Sequence, residues 1–349
     1  MSDVVAASSS RRRVWVRLFV SLLFASGLAW ILLRGGLPIV PPAAELSRVR
    51  PGAVLAYVGI LAFAITVRSL RWRHVVPEMP TAQVTGIGLI GAAAIFVAPL
   101  RLGEAVRPLL FASAGRVPLA RTLALVVAER VLDGLVLSVM FFAALSASSI
   151  RSPLPDHLGD LPLPVAAVPP TASAAVAVFG VAGVVLVALA ALGDRGPKLV
   201  AAVVSPVSAR LGARAEAFAE RGTLGLRSLG TRQALPFFGE TLVYWGATVV
   251  AMKVLANGLG LPLGVAEAAV TMGVLGVGII VPSGPGFFGA FQLSTYVGLA
   301  LYFPMEQVVG DGALYVFVMY SAQIAVALLA ALAGWALGAL RAAPEELDR

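Results

Sequence analysis

Cysteine is absent from the 349 residues, which excludes disulfides, thiolate metal sites and a cysteine nucleophile together. Histidine is nearly absent. His74 and His157 stand in different loops, so a histidine-built zinc or catalytic site is not expected. Charged side chains make up 13% of the chain, about half the share of an ordinary soluble domain, roughly 25%. Hydrophobic residues make up 59%, and the mean hydropathy is +0.92. That leaves too little polar surface to cover a water-facing globule. No HExxH, Walker A or dinucleotide-binding pattern occurs, so neither a metal nor another cofactor is expected. The net charge of +8 does not point to nucleic acid, because basic residues of membrane proteins gather in cytoplasmic loops. The chain reads as an all-α polytopic membrane protein.

Three regions are expected. Residues 1–13 read as a disordered basic arm, 14–341 as a single transmembrane domain and 342–349 as a short cytoplasmic tail. The first apolar run, 14–33, follows Arg11, Arg12 and Arg13 and is long enough to cross a bilayer, so it reads as a signal-anchor helix. Further apolar runs cover 52–67, 121–147, 172–192, 235–255 and 313–340. Two others are interrupted: 84–98 ends at Pro99-Leu-Arg-Leu-Gly-Glu104, and 265–303 is split by Pro282-Ser-Gly-Pro-Gly286. Proline and glycine remove donors and loosen the backbone, so a helix must break at each.

Charge placement selects a topology. With 84–114 and 265–303 as re-entrant hairpins, six full spans remain and both termini lie in the cytoplasm. Lys and Arg then divide 20 inside to 4 outside, with Arg130 and Lys253 embedded; the cytoplasmic loop 193–234 is among the basic segments. That bias satisfies the positive-inside rule. The two hairpins enter from opposite faces, an inverted arrangement found in several transporter folds.

Broken helices at membrane depth expose backbone N–H groups at the start of the returning half, which suits an anion such as phosphate. Arg101, Glu104 and Arg107 follow helical spacing beside the first break, with Glu104 in reach of Arg107 and Arg101 facing the turn. Ser283, Gly284 and Gly286 form the second break. Glu129, Arg130 and Asp133 begin about eight residues inside their segment, roughly 12 Å deep. Each embedded charge costs about 2.5–3.5 kcal/mol at mid-bilayer, so three on one helix require a polar interior. They form either a substrate-facing wall or an ion-pair network that locks helices together. Arg71 and Arg73 flank Trp72; the tryptophan reads as an interfacial anchor, and the arginines as gatherers of anionic headgroups. Glu240 and Lys253 read as residues near span ends, and Gly334 and Gly338 as a GxxxG packing signal.

Four motifs in this order resemble the lysylphosphatidylglycerol synthase transmembrane family, also called flippase-like domain proteins. They are Arg68-Ser-Leu-Arg-Trp72, Pro99-Leu-Arg-Leu-Gly-Glu-Ala-Val-Arg-Pro108, Glu129-Arg-Val-Leu-Asp133 and Pro282-Ser-Gly-Pro-Gly-Phe-Phe-Gly289. The best-known members join this unit to a cytoplasmic synthase that aminoacylates phosphatidylglycerol, and the membrane unit moves the product between leaflets. The 349 residues hold no such soluble domain, so a stand-alone member is expected. The resemblance implies a lipid flippase-like transporter, not an enzyme, in the bacterial inner membrane. Its partner would be an amphipathic lipid of aminoacyl-phospholipid, polyprenyl-linked or hopanoid type. The substrate-binding set expected is Arg71, Arg101, Glu104, Arg107, Glu129, Arg130, Asp133, Ser283, Gly284 and Gly286. The rival expectations are an integral-membrane transferase on a lipid-linked substrate and a non-catalytic partner of a separate synthase or glycosyltransferase; an oligomer is compatible with each.

Overall fold

The computed structural model describes residues 2–114, 117–163, 165–227 and 231–340. Helices run in the order α1 (Ser2–Arg34), α2 (Ala43–Leu46), α3 (Pro51–Leu70), α4 (Thr81–Val97), α5 (Val106–Ser113), α6 (Leu119–Ala147) and α7 (Val168–Leu192). There follow α8 (Arg195–Val204), α9 (Ala209–Arg227), α10 (Thr231–Gly258), α11 (Val265–Gly278), α12 (Ala290–Ala300), α13 (Met305–Val309) and α14 (Asp311–Ala336). No β-strand is present among the described residues.

Six of these helices, α1, α3, α6, α7, α10 and α14, reach 20 residues or more among the described residues. At about 1.5 Å per residue, 20 residues cover a hydrocarbon core of about 30 Å. Among the described residues, four stretches are both long and apolar enough to cross a membrane: Pro51–His74, Val165–Leu189, Arg232–Gly258 and Met305–Ala336. The 29-residue α6 has the length, but it carries Arg121, Glu129, Arg130 and Asp133.

The backbone of residues 2–13, read from sequence as a disordered arm, continues α1 as helix. Its Ser, Ala and Arg residues include no helix breaker, and adding turns to an existing helix avoids the cost of nucleation. Residues 342–349 lie outside the described residues.

Both interrupted segments fold back on themselves. After α4, a 3-10 turn over Pro99–Ala105 leads into α5. A Cβ at Gly103 would lie 2.0 Å from the Ala94 carbonyl oxygen, and one at Gly91 would lie 2.8 Å from Arg107 Cβ. These matched positions run in opposite directions along the two legs. Likewise Gly278 faces Ser294 and Gly298 faces Thr271 across α11 and α12. With 14 and 11 residues, these legs reach only about 21 and 17 Å. Each leg is shorter than a hydrocarbon core of about 30 Å.

Around them, α3 packs along α10 and α14 along α4. The α4–α14 crossing is tight because Gly86 and Gly334 meet: a Cβ on either would come within 2.8 Å of the other's carbonyl oxygen. Gly338 does not extend that contact into a GxxxG, since α14 ends at Ala336 and Gly338 takes a positive φ of 78°. Within the basic segment 193–234, α8 and α9 form a helical hairpin, residues 228–230 lie outside the described residues, and 231–234 already belong to α10.

Candidate functional site

Three separate stretches deliver arginines to one buried point. Arg68 and Arg71 stand one turn apart at the end of α3 and the 3-10 turn after it. Arg107 comes from α5 and Arg130 from α6. They converge on Glu129 and Asp133, which share a face of α6 at i, i+4.

Arg71 is fully buried. Its Nη2 donates to Glu129 Oε1 at 2.5 Å and to Asp133 Oδ2 at 3.0 Å, and its Nη1 donates to Thr241 Oγ1 at 2.7 Å. Asp133 Oδ1 lies 2.8 Å from Arg71 Nη1. Arg107 donates through Nη1 to Glu129 Oε1 at 3.2 Å and through Nη2 to Oε2. Glu129 and Asp133 are buried with them. Arg68 and Arg130 stand farther off, at 3.6 to 3.8 Å from the two carboxylates. Four guanidinium groups therefore surround two carboxylates, a formal surplus of two positive charges. Glu104, on the turn before α5, acts electrostatically on Arg130 and lowers that surplus.

Aromatic faces hold the arginines in place. Arg107 lies 4.3 Å over the Trp72 ring, Arg71 4.9 Å over Phe237 and Arg68 5.3 Å over Tyr244; such contacts stabilise a desolvated cation. Trp72 stacks on Phe111 with ring centroids 5.0 Å apart and has no exposed surface. It is therefore a wall of this cluster and not the interfacial anchor expected from its flanking arginines. Phe237, Thr241 and Tyr244 recur at i, i+4 and i+7 along one face of α10. Glu240, on the same turn, pairs with Arg73 and lies 3.4 Å from His74 Nε2.

Of the residues expected to bind substrate, Arg71, Arg107, Glu129, Arg130 and Asp133 meet here, with Glu104 beside them. The side chain of Arg101 lies outside the described residues. Arg107 is buried, 5% exposed, and its stem lies directly against α4 where position 91 is glycine. Sequence reasoning placed Arg68 in a motif without giving it a role in the site, and it passed over Thr241 and Phe111. The i, i+3 spacing of Arg68 with Arg71 was the available signal for that role.

Ser283, Gly284 and Gly286 form a different place. Ser283 is 6% exposed, and its carbonyl oxygen accepts from Ser21 Oγ of α1 at 3.5 Å. Gly286 has a φ of 68°; a Cβ there would lie 2.8 Å from Tyr320 Oη and 3.2 Å from the Phe96 ring. Ile95, Ala98, Ile280, Val281, Pro282, Ser283, Gly284 and Phe287 line a mostly apolar cavity of about 140 Å3 between the two breaks. The helix starts beside the breaks are less open than their sequences imply. The Gly289 N–H before α12 donates to Gln292 Oε1 at 2.7 Å, and the 3-10 turn runs straight into α5, with the Val106 N–H bonded to the Gly103 carbonyl.

A buried, arginine-rich cluster between a broken helix pair and three long helices thus occupies the positions of three of the four motifs, and the fourth forms the second break. Comparison with curated proteins and with solved structures gave no match. The family described as the lysylphosphatidylglycerol synthase TM region matches residues 14–331, nearly the whole chain. The chain belongs to the lysylphosphatidylglycerol synthase transmembrane-region family and is a multi-pass helical membrane protein.

Proposed function

We propose that this protein is a lipid transporter of flippase type, moving an amphipathic lipid between the leaflets of a bacterial inner membrane. In this reading α1, α3, α6, α7, α10 and α14 cross the bilayer with both termini in the cytoplasm. The α4–α5 and α11–α12 pairs enter from opposite faces without crossing. The observation that carries the proposal is the cluster of Arg68, Arg71, Arg107 and Arg130 around Glu129 and Asp133. Charged groups taken out of water are costly unless paired and hydrogen-bonded. A merely structural lock would pair them one to one; a surplus of arginines suits a site that receives a headgroup. Acyl chains would stay in lipid while the headgroup exchanges water for these donors. Chemistry on the lipid is not part of this reading, and transport runs downhill or with a coupled ion.

The test is leaflet-resolved transport in proteoliposomes, with aminoacylated, polyprenyl-linked and hopanoid lipids presented in turn. At least one class should cross faster than in protein-free vesicles. Equal rates for all three with and without protein would refute the proposal.

A further inference from the structure

The six charged side chains divide into two groups. Arg71 and Arg107 make the close contacts with Glu129 and Asp133, at 3.2 Å or less, and two cations there answer two anions. Arg68 and Arg130 make no hydrogen bond to either carboxylate; they approach only to 3.6–3.8 Å. They are also the partly open members: their side chains are 14% and 31% exposed, against 0% for Arg71 and 6% for Arg107. Nε is buried without a hydrogen-bond partner in all four arginines, and Arg130 alone of the four leaves a terminal nitrogen, Nη2, in the same state. Buried donors are ordinarily satisfied, and a guanidinium offers a planar fork that matches phosphate oxygens. The Tyr244 ring holds Arg68 from behind, and Glu104 acts on Arg130 from the turn before α5.

We infer that Arg68 and Arg130 form the headgroup clamp, and that it selects a phosphoryl headgroup with one to two negative charges and no ammonium group. This rests on the lipid-transporting reading and narrows it. Two arginines without close partners, partly offset by Glu104, balance a phosphate monoester or diester. A lysyl headgroup would bring two ammonium groups to a place already positive, and a hopanoid polyol brings nothing to balance it. Glu129 and Asp133 are not free to receive a cation, because Arg71 and Arg107 already occupy them. Among the three lipid classes expected, the clamp therefore favours the polyprenyl-linked type, with its phosphate chemistry, over the aminoacylated and hopanoid types.

The experiment uses the full chain in phosphatidylcholine nanodiscs with a fluorescent short-chain phosphatidic acid as probe. The probe should bind, and unlabelled phosphatidic acid should displace it at least tenfold better than lysyl-phosphatidylglycerol or a hopanoid polyol. Arg68→Gln combined with Arg130→Gln should weaken binding tenfold or more, while Arg68→Lys with Arg130→Lys should retain part of it. Equal or better displacement by the lysyl lipid overturns the inference, as does undiminished binding by a folded double-Gln variant. If that variant does not fold, the wild-type competition decides alone. Transport measured on the same lipids separates the two claims. Clamp-dependent anion binding with no lipid moved would refute transport and leave the clamp standing. Transport of the lysyl lipid but not of phosphatidic acid would refute the clamp and leave transport standing.

Discussion

Glu129→Gln is the sharpest probe of the cluster, because it changes one charge and almost no volume. The carboxylate faces Arg71 at 2.5 Å, Arg107 through two hydrogen bonds, Arg130 at 3.6 Å and Arg68 at 3.8 Å. At an effective dielectric of about 20, a pair of charges about 4 Å apart attracts by roughly 4 kcal/mol. Several such pairs are lost together, while the cost of burying the carboxylate is recovered. Breaking a buried pair by removing one partner typically costs about 3–5 kcal/mol net. At about 1.4 kcal/mol per tenfold, that is two to four orders of magnitude in the folded-to-unfolded ratio. The formal surplus of the cluster meanwhile rises from two charges to three. Adding Arg107→Gln restores the surplus to two, so the double variant should be more stable than the sum of the singles by about 1–3 kcal/mol. Equilibrium unfolding in mixed micelles titrated with a denaturing detergent reads these differences. A Glu129→Gln variant as stable as wild type, together with strict additivity in the double variant, would refute the interdependence of the six charges.

Gly103→Ala should destabilise the protein by about 3 kcal/mol or more, since the new Cβ would fall 2.0 Å from a backbone oxygen that no rotamer change can move; detergent melts check this. Trp72→Ala should cost about 3–5 kcal/mol by removing both the Phe111 stack and the face under Arg107, whereas Trp72→Phe should cost less than half as much in the same melts. The natural lack of cysteine makes topology directly measurable, because Ser113 and Ser152 are both exposed. An impermeant thiol reagent applied to intact cells should label Ser152→Cys and spare Ser113→Cys, and labelling of Ser113→Cys would sink the cytoplasmic placement of the first hairpin.

The helical membrane class was legible in composition alone, and so were the interruptions at Pro99 and Pro282–Gly286, because apolar run length and proline chemistry act locally. The i, i+4 pairing of Glu129 with Asp133 also followed from helical spacing. The partners of those carboxylates did not. Arg107 was read with Glu104 because helical neighbours are the only ones that spacing can reveal; in the fold it turns to Glu129, 22 positions away. Trp72 carried an interfacial signature from its arginine neighbours, yet Phe111 and Arg107 bury it completely.

Sequence by itself determined what a residue-local property can determine: which stretches avoid water, where a helix must stop, and that α6 carries charges that apolar surroundings would penalise. Tertiary structure alone decided which charges satisfy one another. Arg71 and Thr241 are separated by 170 positions and lie 2.7 Å apart, a proximity set by the packing of α3 along α10. The division between Arg71 and Arg107, spent on carboxylates, and Arg68 and Arg130, left partly open, belongs to that level too. All four residues are the same amino acid, and only distance and burial distinguish them, because Coulomb attraction and desolvation depend on where a charge lies and not on where it stands in the chain.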